Sequence, residues 1–261
     1  MSTPKREHIS YSELKDWATC PHYHKKTWIE KVAKFEGNEY TAFGTAIHDV
    51  CEKKLLKEDI DDSKLFQIGF YKKIDELLEK NIAINEKNVK QMRTAGPQIL
   101  AEVDDALKQY FGEYEVFSSE EKLYVPIENF NVYFKGFVDA VVKVGDTYHL
   151  FDWKTCSWGW DSRKKSEKIV TYQLTLYKHF WCLKHNVDPK NVETHFALLK
   201  RTAKKDRVEI FRVTSGPRKI ENALKLLYQA IYNITKRFTI KNRLSCHKPY
   251  PCKLLHTKHC R

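Results

Sequence analysis

Two stretches of alternating apolar and polar residues, 132–144 and 147–155, flank the dipeptide Gly145-Asp146, and this arrangement constrains the fold more than any other part of the chain. A period of two marks a strand, because successive side chains leave opposite faces of the backbone. Glycine at the first central position suits a type II′ turn of two residues, whose twist matches that of the strands it joins. With that turn, Val144 opposes Thr147, and the numbers of paired residues sum to 291. Asp139 and Asp152 meet the same sum, so they are predicted to face each other on one side of a hairpin. Lys154, two residues beyond Asp152, shares that face.

Directly opposed Cβ atoms lie about 4.5–5.5 Å apart, a spacing at which like charges destabilise a sheet. Both aspartates also sit in apolar sequence, Phe137-Val138 and Ala140-Val141-Val142 around Asp139 and Leu150-Phe151 before Asp152. Burying two unpaired carboxylates is costly, so the pattern calls for something that neutralises them. A hard divalent cation favours carboxylate oxygens and would do so. Lys154 adds a donor that can hold a water or stabilise developing negative charge. A buried ion pair of Lys154 with one of the acids, without any metal, is the competing structural reading.

Elsewhere the period is that of helices. Ser10-Tyr11-Ser12-Glu13 reads as a capping box opening a helix that Pro21 ends. Further helices are expected over Ala42–Leu56, Ser63–Lys80, a stretch ending near Phe111 that Gly96-Pro97 interrupts or starts, Glu167–His185, and from Gly216-Pro217 to about Phe238. Strands are expected at 121–127 and on both sides of the basic loop Lys200–Arg207. The order predicts an α/β (α+β) fold with a central mixed sheet flanked by helices, not a doubly wound parallel one. As organisation, 10–115 forms a helical region, 120–215 a sheet core, and 216–261 a last helix with a cysteine-rich tail, all within one domain of 1–261.

The 261 residues carry a formal net charge of +12 with a pI near 9.2, a balance that favours polyanionic partners such as nucleic acid. Lys200, Arg201, Lys204 and Lys205 crowd one loop, and Arg163, Lys164, Lys165 and Lys168 precede a helix; both clusters could contact phosphates or be solvated loops. Trp158, Trp160 and Tyr172 lie nearby and could stack on bases or pack in the core. The sequence has no run of 18 apolar residues and a polar start, which predicts a cytoplasmic protein without a membrane span. Seven cysteines then read as thiols or ligands more than disulfides. Glu121 is a further acid that could support the pair, or a solvated strand end.

Taken together, Asp139 and then Asp152-Trp153-Lys154 resemble the split D…(D/E)XK signature of the PD-(D/E)XK nucleases. Gly44-Thr45-Ala46-Ile47-His48 resembles the GTxxH helix of their RecB-like exonuclease branch, Gln173-Leu174-Thr175-Leu176-Tyr177 its QxxxY helix, and Ser12-Glu13-Leu14 through Cys20-Pro21 its N-terminal segment. That branch includes the RecB and AddB nuclease domains, CRISPR-adaptation nucleases and many phage proteins. The resemblance implies a deoxyribonuclease of replication, recombination or repair, with an exonuclease acting on single strands or DNA ends favoured. A structure-specific endonuclease and a degenerate DNA-binding accessory protein are the alternatives.

The resemblance further implies Mg²⁺ or Mn²⁺ held by His48, Asp139, Asp152 and the Trp153 main-chain carbonyl, with Lys154 orienting the attacking water. Gln173 and Tyr177 would steady the DNA strand. Some relatives also hold a [4Fe–4S] cluster on one N-terminal and three C-terminal cysteines, which Cys20, Cys246, Cys252 and Cys260 could supply. Their spacing lacks the tight pair usual in the family. Zinc, with His247, His256 and His259 interspersed, or no ligand at all, are the other readings of that tail.

Overall fold

Side-chain caps and strand periods divide the chain into a regular succession of elements, which a computed structural model describes for residues 6–32, 35–246 and 252–260. In order they are β1 (His8–Ser10), α1 (Tyr11–Thr19), α2 (Pro21–His24), α3 (Glu39–Leu55), α4 (Asp62–Glu79), α5 (Glu86–Phe111), β2 (Glu115–Pro126), β3 (Tyr133–Val144), β4 (Thr147–Cys156), α6 (Ser162–Ser166), α7 (Lys168–His185), β5 (Val192–Lys200), β6 (Val208–Arg212) and α8 (Pro217–Thr235). The strands form the expected mixed sheet in the order β1-β3-β4-β5-β6, with β2 also paired to β3. Of the residues read from sequence, Met1–Lys5 and His247 lie outside the described residues.

The chain divides into two compact units, one of residues 36–122 and 137–215 and one of residues 1–35, 123–136 and 216–261. In the first, β3 and β4 pair antiparallel from Val144↔Thr147 to Ala140↔Phe151, and Asp139 and Asp152 are the next residues beyond that last pair. Gly145 adopts φ +55° while Asp146 keeps a negative φ, as a type II′ turn requires. β5 then runs parallel to β4. Parallel neighbours need a crossover, and α6 and α7 supply it.

On one face of these strands, Phe43, Ile47 and Val50 of α3, Phe66, Phe70 and Ile74 of α4 and Ile99, Val103 and Leu107 of α5 bury themselves against Ala140, Val142, Phe151, Trp153, Ala197 and Leu199. The alternate strand residues Phe196 and Leu198 pack with Leu174 of α7 on the other face. α5 differs from its expectation: it runs unbroken through Pro97. Proline inside a helix costs about 3 kcal/mol, and burial of Met92, Ala95, Ile99, Leu100 and Val103 along one helix offsets it. Gly96 is needed there, since a Cβ would fall 2.2 Å from the Phe66 ring.

In the second unit, β1 lies parallel to the start of β3, with Ile9 beside Phe134. Ser10 caps α1 by accepting from the Glu13 amide at 3.2 Å, the first half of the expected capping box. The Glu13 side chain does not return to that cap; it is buried and paired with Arg6 and with His24, whose Nε2 is 2.8 Å away. α8 buries Ala223, Leu227, Ala230 and Ile231.

Candidate active site

The hairpin alone brings the two acids together, and neighbouring backbone fixes them. Asp139 Oδ2 accepts the Trp153 amide at 2.8 Å, so one acid is tied to the strand that carries the other. Trp153, whose carbonyl the resemblance adds to the ligand set, thus meets the pair through its N–H. Asp152 is 2 % exposed. Its Oδ1 accepts from Gln173 Nε2 at 2.6 Å, and that amide lies 3.4 Å from the Tyr177 hydroxyl. Residues four apart on a helix share a face, so α7 presents both groups toward β4.

Lys154 Nζ lies 2.5 Å from Asp152 Oδ2, a charge contact. It lacks the alignment of a hydrogen bond, and Oδ2 is a buried acceptor with no aligned donor. His48 reaches the pair from α3, its Nδ1 3.6 Å from Asp139 Oδ2. Gly44, one turn earlier, lies near Thr155, but a Cβ there would stand 3.5 Å from Thr155 Oγ1, at ordinary contact. The packing of α3 against β4, more than the missing side chain, delivers the imidazole.

Electrostatics follow from this crowding. Burial pushes the Asp139 and Asp152 carboxyls up to about 6, against the downward pull of Lys154. Burial drives His48 down to about 4, although its side chain keeps 29 % exposure. Near neutral pH the two acids are therefore carboxylates and the imidazole is neutral. A buried carboxylate oxygen without an aligned donor, beside a second carboxylate and an imidazole, fits a divalent cation: hard oxygens plus one nitrogen. Burial raises the Tyr177 hydroxyl, which stays protonated.

A further acid comes from β2, and it is not Glu121. Glu121 is held by Lys184, His185 and Trp181 at the end of α7, which keeps it ionised down to about pH 2. Glu120, an exposed residue, instead carries charge that the centre feels: burial, then Glu52, Asp49 and Asp152, raise its carboxyl, and it in turn raises Asp139. The burial alternation of β2 breaks at Ser118-Ser119, and Glu120 takes φ +47°. That local shift exchanges the faces of neighbouring residues, and a strict period of two cannot reveal it.

The expected DNA-contacting residues fare unequally. Lys204 and Lys205 are exposed on their loop. Lys200 pairs with Glu209 at 3.3 Å. Arg201 is buried, its guanidinium 4.9 Å from the Tyr40 ring and bonded to Ser157 Oγ at 3.1 Å. Tyr172 is buried too, whereas Trp158 is 79 % exposed. With Trp160, Lys164 and Lys165, Trp158 lines a recess of about 460 Å³.

All seven cysteines are free thiols. Cys20, Cys246 and Cys252 are drawn together through Asn242: its N–H donates to Cys20 Sγ at 3.4 Å, its carbonyl accepts from Cys246 Sγ at 3.8 Å, and the Cys252 amide donates to the Cys246 carbonyl at 2.8 Å. Among the described residues, no helix is long and apolar enough to cross a membrane.

Comparison with known proteins agrees with this geometry. A family model described as the PD-(D/E)XK nuclease superfamily matches residues 8–256. No curated protein matches the sequence. Among solved structures, a provisionally named exonuclease from Eubacterium rectale is similar at a TM-score of 0.55 and 12 % identity, over 88 % of this chain and 79 % of that one. Another, named SSO0001, covers 88 % of this chain and 78 % of its own at 11 % identity, but its TM-score of 0.39 is too low to bear on the fold.

Proposed function

The chain belongs to the PD-(D/E)XK nuclease superfamily, whose members are metal-dependent nucleases, and from that premise we propose that it hydrolyses phosphodiester bonds in DNA, as an exonuclease on single strands or ends. The observation that carries the reading is the pair of opposed acids, with Asp152 Oδ2 buried and lacking an aligned donor. Asp139, Asp152 and His48 would hold Mg²⁺ or Mn²⁺, with the Trp153 carbonyl as a further ligand. When bound, such a cation lowers the pKa of water and polarises a phosphoryl oxygen.

The chain's own residues do the rest. The Gln173 amide fixes Asp152 Oδ1, which leaves Oδ2, in charge contact with Lys154, as the oxygen that would turn to a cation. Lys154 sets its Nζ beside Asp152, where it can orient a water and offset charge developing at phosphorus. His48 is neutral near pH 7 and so keeps a ring nitrogen able to bind a cation. Lys204 and Lys205 offer phosphate contacts without reading bases, and the exposed Trp158 beside Lys164 and Lys165 favours unpaired, stackable bases over duplex. Cys20, Cys246, Cys252 and Cys260 are the residues for an iron–sulfur cluster, four thiolates being its usual complement.

Labelled single-stranded and duplex DNA, incubated with the purified chain with and without Mg²⁺ or Mn²⁺, tests this. Metal-dependent shortening from ends that Asp152→Asn abolishes is the expected result. Binding without cleavage would make the chain an accessory protein instead. Anaerobically purified protein lacking broad visible absorption would remove the cluster from the reading.

A further inference from the structure

A second group of metal-competent side chains lies on the face of the sheet opposite Asp152 and Lys154. His149 of β4 and Glu193 and His195 of β5 converge there. The parallel register sets His149 beside Glu193 and Phe151 beside His195, and the period of two puts all three on the face that Phe151 shares. His149 Nδ1 and His195 Nε2 stand 3.1 Å apart, and Glu193 Oε2 lies 3.8 Å from the first and 3.9 Å from the second. The point equidistant from those three atoms, the circumcentre of a triangle with these sides, is about 2.1 Å from each. Zinc binds imidazole nitrogen at about 2.0–2.1 Å and carboxylate oxygen at about 2.0–2.2 Å.

The atoms behind the donors are arranged as a ligand set would need. The other ring nitrogen of His195 meets the Tyr110 hydroxyl at 3.2 Å, which can accept its N–H and so direct the Nε2 lone pair at the ion. Arg212 holds Glu193 Oε1 at 2.9 Å and leaves Oε2 to the imidazoles. Phe111 packs 5.2 Å from the His149 ring and 5.3 Å from the His195 ring, and Tyr110 lies 5.4 Å from His195. His195 is 1 % exposed, so its ring cannot swing away freely. Burial lowers both histidines, His195 to about 3, so the pair is uncharged near neutral pH and open to a cation. Arg212 opposes the added charge but is itself more than half exposed and solvent-screened.

We propose that His149, Glu193 and His195 bind one zinc-class dication, with water at a fourth position, as a clip between β4 and β5. Two imidazoles and one carboxylate are a donor set for Zn²⁺ or Co²⁺ rather than for Mg²⁺ or Ca²⁺. The clip is therefore chemically separate from the oxygen-rich centre on the other face. Being at the strand starts, it fixes the parallel pairing that carries Asp152.

Metal-stripped full-length protein, dialysed against buffered Zn²⁺ and analysed for metal per chain, tests the site. Wild type should retain one equivalent more than His149→Gln and Glu193→Gln, which lose that equivalent or bind it at least about tenfold more weakly. Cys246→Ser and Asp152→Asn should keep that equivalent, which separates the clip from the thiols and from the reaction centre. Loaded with Co²⁺, wild type should show visible d–d absorption that His149→Gln removes, with no accompanying loss of thiolate charge-transfer bands. Unchanged circular dichroism in His149→Gln excludes misfolding, and Glu193→Gln, at a partly exposed position, repeats the measurement on the other donor. Equal zinc content in wild type and both variants, or none in wild type, would leave the two rings as a neutral hydrogen-bonded pair and overturn the proposal.

Discussion

Replacing Asp152 by asparagine should stabilise the metal-free protein while destroying its chemistry. Burial holds the Asp152 carboxyl at about 6 against an ordinary 3.8, and this shift is already net of the attraction to Lys154. An acid whose folded pKa is raised favours folding only while protonated. Its contribution is intact below about pH 4 and is lost as pH rises through 6. The difference is about two units, and each unit is worth about 1.4 kcal/mol, so ionised Asp152 costs the fold up to about 3 kcal/mol at pH 8. The side chain is almost wholly buried, so solvent does not discount this figure. Asparagine keeps a carbonyl oxygen for Gln173 and never ionises. For a domain of this size 1 kcal/mol moves Tm by about 2–4 °C, so Asp152→Asn should melt roughly 6–12 °C above wild type in EDTA at pH 8. At pH 4 the gap should close. Mg²⁺ or Mn²⁺ at about a thousand times its Kd should reverse the order, because it stabilises only the binding form, by about 4.1 kcal/mol. Thermal melts at the two pH values, with and without metal, measure all of this. A variant no more stable than wild type in EDTA at pH 8, or equally favoured at pH 4, would refute the claim that the carboxylate is held at a cost for a cation.

Three other outcomes follow from the same geometry. Lys154→Met should lower the cleavage rate by about 10²–10³-fold while keeping the metal-induced rise in Tm, measured by single-turnover kinetics beside thermal melts. Cation affinity should fall as pH drops below about 6, with a slope approaching two protons, because Asp139 and Asp152 both protonate there while His48, at about 4, stays neutral; titration calorimetry across that range checks it. Gly96→Ala should destabilise by about 1–3 kcal/mol in denaturant melts, since its methyl meets the Phe66 ring at 2.2 Å and α4 or α5 must shift.

The reaction centre and the fold around it were readable to different depths. Asp139, Asp152 and Lys154 were legible because a strand's period and a two-residue turn are local rules, and the paired numbers follow from them. Glu120 was not, because one residue with positive φ shifts the parity that the rule assumes. Helix ends such as Asn38, which accepts from the Thr41 amide to open α3, carry their own short-range signals yet fell three residues from expectation. Arg201 looked like a phosphate contact in a basic loop, and only the packed chain sets its guanidinium against Tyr40.

What the sequence determined by itself is the face on which the acids and the lysine lie, and the family to which their spacing points. Only the tertiary structure decided what meets that face: His48 carried in on α3, Gln173 bonded to Asp152 from α7, and, on the other side, His149 joined to Glu193 and His195. The reason is one of range. Alternation and turn chemistry are set by a few adjacent residues, whereas helix docking and the register of parallel strands depend on many weak contacts between distant segments, and no short stretch of sequence records their sum.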